Sequence, residues 1–121
     1  MKTISYETAR ERATRGAALL DERSPGWWRH LYPESINMMF GDQCVVGSLN
    51  PDVGYYAMLE ELGVLDEGEC SEGTIVWYGF DVADDEFSAD VENPAARESY
   101  ARLTDVWRVL VAGRLIQAGM R

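Results

Sequence analysis

The sequence predicts a mainly α, single-domain bundle of about four to five helices, organised by a long C-terminal helix, with one extended or short β segment near residues 74–80. Three observations carry that expectation. Leu103, Val106, Trp107, Leu110, Val111 and Leu115 recur at helical spacing and draw one apolar stripe along the C-terminal stretch. Ala9, Ala13, Ala17 and Leu20 do the same near the N-terminus, with small side chains that let another helix approach closely. Only Thr74–Phe80 (TIVWYGF) has the β-branched and aromatic content of a strand, and no other segment makes a convincing partner for it. At 121 residues the chain has the length of one domain. Folding at that size buries about two-thirds of the unfolded surface, enough for one modest core.

The elements follow in order. ISYETARERATRGAALLDER reads as a helix capped by Ser5 or Thr3, with Glu7 in the first turn where a negative charge is favoured. Arg10, Arg12 and Arg15 belong to its solvated side, and Pro25-Gly26 ends the pattern. SPGWWRHLYPESI predicts a short helix over Trp27–Leu31, with Ser24 as N-cap, Pro25 at the first helical position and Pro33 as the stop. Trp27 and Trp28 are adjacent and cannot face the same way, so one enters the core while the other lies at the surface. Residues Gln43–Leu49 are expected to be helical, capped by Asp42, with a strand over Cys44–Leu49 as the alternative for so short an apolar run. After Asn50-Pro51-Asp52, the segment VGYYAMLEELGVL predicts a helix burying Tyr55, Met58, Leu59 and Leu62, with Gly63 just past its end. Residues 64–93 show no helical period and form an acidic irregular region, anchored to the core by Ile75, Trp77 or Phe80. Asn93 and Pro94 then open the last helix as cap and first residue. Repeats, low-complexity tracts and domain boundaries are absent from the sequence.

The formal net charge is −10, and its layout says more than its total. Residues 1–29 hold six basic and four acidic side chains, and residues 97–121 hold five basic and two acidic. Residues 30–96 hold fifteen acidic side chains and no Lys or Arg. The chain is therefore an acidic middle between two mildly basic ends. Such a middle opposes direct contact with nucleic acid or an anionic membrane and favours a basic protein patch. Ten of the eleven basic residues are Arg, which fits a GC-rich, actinobacterial type of coding sequence. The chain does not open on a signal-peptide pattern and has no apolar run of about 18 residues, so a soluble cytoplasmic protein is expected.

Catalytic and metal chemistry find little footing. His30 is the only histidine, and nothing in the sequence sets a nucleophile or carboxylate against it. Cys44, Cys70 and His30 match no zinc spacing. Cys44 reads as a small buried hydrophobe, and Cys70 lies among carboxylates that discourage the thiolate. DVADDEFSADVE lacks the turn glycine of a calcium loop and has Ala and Phe where ligands belong. Phosphate-binding glycine motifs are absent. No catalytic residue, metal site or cofactor is expected, and an enzyme is the least favoured class. The residues expected to meet a partner are Asp81, Asp84, Asp85, Glu86 and Asp90 of the acidic region, with Trp28, Tyr55 and Tyr56 as aromatic anchors. The plainer reading of the acidic region is a solvated face that keeps the domain dispersed.

The pieces RGAALLDERSPGWW, CVVGSL, GYYAMLEELGV, YGFD and SYARLTDVWRVLVAGR occur in an order that resembles a group of small uncharacterised proteins of actinobacteria and their bacteriophages. That group carries an ALLDE…PGW opening, a CVLGQL-like segment, a Y…LG segment, a GF and a final Y…LT…W helix. The present chain departs from it in VGSLN and in the acidity of residues 64–93. The shared motifs are apolar or turn-forming and imply core and cap positions rather than a site. What the resemblance implies is a non-catalytic accessory protein of phage or prophage origin that binds a host or virion protein. The alternative is an acidic DNA mimic that occupies the basic groove of a nucleic-acid-binding protein, which requires carboxylates in rows at phosphate-like spacing.

Overall fold

A computed structural model describes residues 3–64, 72–82 and 94–119. Among these lie five α-helices: α1 (Tyr6–Arg23), α2 (Val45–Leu49), α3 (Tyr55–Glu61), α4 (Glu72–Trp77) and α5 (Pro94–Gln117). Two 3-10 turns, Trp27–His30 and Pro33–Ser35, bridge α1 to α2, and there is no strand among the described residues. The mainly helical architecture with a long C-terminal helix is the one the sequence predicts.

Helix α1 starts where the Ser5 side chain accepts the Thr8 backbone N–H at 3.1 Å. Its alanine row is the buried face, since Ala9, Ala13, Gly16, Ala17 and Leu20 are all buried. That row packs on α5, and the two helices run side by side in the same direction. At one end Ile4 N–H reaches the Ser99 hydroxyl at 3.1 Å. At the other, Arg114 pairs with Asp21 at 2.7 Å.

Trp107 organises the centre. It is fully buried, and its indole N–H donates to the Gly79 carbonyl at 2.7 Å. Its ring stacks on Phe80 at 6.0 Å and meets Trp27 edge-on at 5.9 Å. Each such aromatic pair contributes about 0.5–1.5 kcal/mol beyond the area it buries. Gly16 lets this happen, because a methyl there would overlap the Tyr78 carbonyl oxygen and crowd the Trp107 ring.

Three local expectations are corrected. The segment near 74–80 is not extended: residues up to Trp77 belong to α4, and the chain then turns at Gly79, whose φ is 70°. The Gly79 N–H bonds to Val76 O and the Phe80 N–H to Ile75 O, both at 3.0 Å, closing the helix end in the left-handed glycine cap. Without a partner strand there is no ladder to satisfy extended backbone, whereas a helical turn satisfies its own and still buries Ile75, Val76 and Phe80. Ser24 is not an N-cap but the C-cap of α1, its N–H bonded to Leu20 O. Trp27–His30 is a 3-10 turn entered through Gly26 at φ 76°, with Trp27 in the core and Trp28 half-buried. Finally, α2 begins at Val45 rather than Gln43. Cys44 replaces the expected Asp42 as cap, its sulfur accepting the Gly47 N–H at 3.3 Å.

Candidate interaction surface

Asp81 sits just after the α4 turn, and its carboxylate is committed to the fold. Oδ1 accepts the Tyr100 hydroxyl at 2.6 Å and the Val82 N–H at 2.7 Å. Tyr100 is buried on α5, so this bond ties the start of the acidic region to the core helix. Tyr55, at the start of α3, donates its hydroxyl to Phe80 O at 3.3 Å and is half-buried. Burial raises the pKa of both phenols. The Asp81 charge adds to the effect at Tyr55, and the hydrogen bond to Asp81 adds to it at Tyr100. Burial likewise pushes the Cys44 thiol up to about 11, with the Asp81 charge adding to it. Tyr100 is thus hydrogen-bonded to the Asp81 carboxylate, while Tyr55 and Cys44 feel its charge and donate instead to Phe80 O and Gly41 O. The expected partner contacts at Asp81 and Tyr55 are structural first.

Tyr56 is different. It points away from the core, 67% exposed, with its ring edge-on to Tyr55 at 5.3 Å. The loop carrying Phe40 and Asp42 lies beside Tyr55, since a Cβ on Gly41 would sit 3.8 Å from the Tyr55 Cβ. Phe40 on that loop and Val53, two residues before Tyr55, are exposed large side chains. Asp42, Asp52, Glu60 and Glu61 are exposed on the same loops and helix. This is the described part of the acidic and aromatic surface. The sequence reading found Tyr56 but missed Phe40 and Val53, although each stands beside a turn signal, Gly41-Asp42 or Pro51-Asp52. Asp84, Asp85, Glu86 and Asp90 lie outside the described residues.

Trp28 is half-buried under Arg29, whose guanidinium lies 5.5 Å from the ring centre. Trp77 was a candidate anchor to the core and is instead 56% exposed. Arg15 covers it, with the guanidinium 3.6 Å from the ring centre and Nε donating to Trp77 O at 2.9 Å. His30 is exposed and borders a cleft of about 370 Å³ that also contains Ser48 and Glu61. No hydrogen bond joins those three side chains. Among the described residues no group of three or more His, Cys, Asp or Glu side chains is placed to hold a metal ion. No helix among them is long and apolar enough to cross a membrane.

No family model, curated protein or solved structure matches this chain.

Proposed function

We propose that this chain is a non-catalytic accessory protein, of phage or prophage origin, that docks on a basic patch of a host or virion protein. The observation that carries the reading is the set of exposed apolar side chains, Phe40, Val53 and Tyr56, standing among exposed carboxylates. They lie in a span, residues 30–96, with fifteen acids and no Lys or Arg. The two parts have separate roles. The charge raises the rate of encounter with a basic surface and rejects acidic ones. The aromatic side chains supply contact area that gains free energy when water leaves. The resemblance to small actinobacterial and phage proteins supports an accessory role, and no cofactor is required.

The test is a tagged pull-down from an actinobacterial lysate, eluted with salt and repeated with Tyr56→Ala and Phe40→Ala. A partner that is retained by the wild type, weakened by salt and lost with either variant is the expected result. Capture unaffected by both variants refutes this surface. A partner displaced by duplex DNA moves the assignment to the DNA-mimic alternative.

A further inference from the structure

Helix α5 has a second apolar side, turned away from the core. Val109 is 72% exposed and Ile116 65% exposed, and Val106 is half-buried between them and the core stripe. Gly113 completes the row, and a Cβ placed on it meets nothing within 4 Å. The spacing of 106, 109, 113 and 116 is the three-four-three of a helix-pairing seam. Charge is missing from this row. The two arginines in the span turn back onto the protein, Arg108 donating to Ile36 O at 2.9 Å and Arg114 to Asp21 at 2.8 Å. The row continues into a cleft of about 430 Å³ where α5 meets Tyr6 and Arg10 of α1.

The geometry points to a second copy of this chain as the occupant, its α5 lying antiparallel across the first. The row reads the same in both directions about Val111, so an antiparallel copy places Val106 opposite Ile116 and Val109 opposite Gly113. The exposed valine therefore meets the one position with no side chain, on both sides of the two-fold axis. A parallel pairing sets glycine against glycine and leaves that layer unfilled. An isologous contact of this kind closes at two copies.

Most of the chain's acidic charge lies outside the two helices that border the seam. A chain at −10 resists self-association, but fifteen of its acids fall in residues 30–96, while α1 carries four basic and four acidic side chains and α5 four basic and two acidic. Arg10, which takes part in no ion pair among the described residues, lines the cleft with Asp105, Val106 and Val109. In the antiparallel pair it faces the C-terminal turn of the other α5, where the helix carries partial negative charge. The seam is one helix wide, so the association is concentration-dependent rather than permanent.

The test is sedimentation velocity of the full chain from micromolar to near-millimolar concentration, beside Val109→Glu and Ile116→Glu. Both positions are exposed, so circular dichroism is expected to show unchanged helicity. The expected result is a mass rising from 13.6 kDa toward twice that in the wild type and staying flat in both variants. In a Cys70→Ser background, Val109→Cys mixed with Gly113→Cys should cross-link faster than Val109→Cys alone. A wild type that stays monomeric at every concentration overturns the proposal and leaves the seam to a foreign helix. Dimers that survive both glutamates overturn it too, as does preferential self-cross-linking of Val109→Cys.

Discussion

Replacing a mid-helix glycine by alanine usually stabilises a protein by about 0.5–1 kcal/mol, because glycine loses more backbone freedom on folding. This chain offers two such sites, and the structure predicts opposite signs for them. At Gly113 the added methyl has open space, so the gain should appear in full. At Gly16 the methyl overlaps the Tyr78 carbonyl and comes within 3.0 Å of two Trp107 ring atoms. Neither neighbour has room to yield. The Tyr78 carbonyl precedes Gly79, whose own carbonyl holds the Trp107 N–H, and a Cβ on Gly79 would already lie 2.7 Å from Ala13 N. Trp107 is fully enclosed between Phe80 and Trp27. Overpacking of this kind costs about 1–3 kcal/mol, which offsets the propensity gain and leaves a net loss of up to about 2.5 kcal/mol. Unfolding entropy of about 2.1 cal/mol/K per residue converts 1 kcal/mol into about 4 °C for a chain of this length. Thermal melts followed by circular dichroism at micromolar concentration should therefore show Gly113→Ala rising by about 2–4 °C and Gly16→Ala falling by up to about 10 °C. A Gly16→Ala protein that melts at or above the wild type would refute the close approach of the α4 turn to α1.

Trp107→Ala should lose about 3–5 kcal/mol in urea unfolding, a large share of the stability of any small domain, and an unchanged midpoint would show the centre of the core to be elsewhere. Tyr100→Phe removes a 2.6 Å bond to a carboxylate and is expected to cost about 1.5–3 kcal/mol by the same assay; no change would mean Asp81 finds an equal partner in water. The Cys44 thiol, raised to about 11 from its usual 9.0, should resist alkylation at pH 8 in the native Cys70→Ser protein and react only on unfolding. Its folded pKa is the higher one, so its stabilising contribution is complete below pH 9.0 and is lost as pH climbs toward about 11. Exchanging Asp84, Asp85 and Glu86 together for Asn, Asn and Gln should leave the melting temperature nearly unchanged, and a collapse of the fold would show those acids to be structural.

The two proposed contacts use different chemistry on different parts of the molecule. The α2–α3 surface combines carboxylates with isolated aromatics and suits a basic partner. The α5 row Val106, Val109, Gly113 and Ile116 is apolar, and suits a copy of itself. Asp81 separates the two roles of the acidic region, because its carboxylate is satisfied by Tyr100 and Val82 while Asp42, Asp52 and Glu60 stand exposed. Composition treats these acids alike, since the difference lies in what each one reaches.

Periodicity and capping residues were enough to place α1, α3 and α5, because those helices carry their own instructions. The alanine row, Ser5, Gly63 and the Leu103-to-Leu115 stripe are local patterns whose meaning does not depend on distant neighbours. The charge layout was legible for the same reason. The fate of TIVWYGF was not. Its strand propensity is a weak preference for a half-buried surface, and it was overridden by a glycine cap, with no strand among the described residues to pair with. Which tryptophan of the adjacent pair is buried, which acid is tied down and which aromatic stays in water also depended on the tertiary structure. Each turns on a contact between residues far apart in sequence: Trp27 with Trp107, Asp81 with Tyr100, Trp77 with Arg15. A sequence records which groups are available to bury or pair, and only packing decides which of them lose their water.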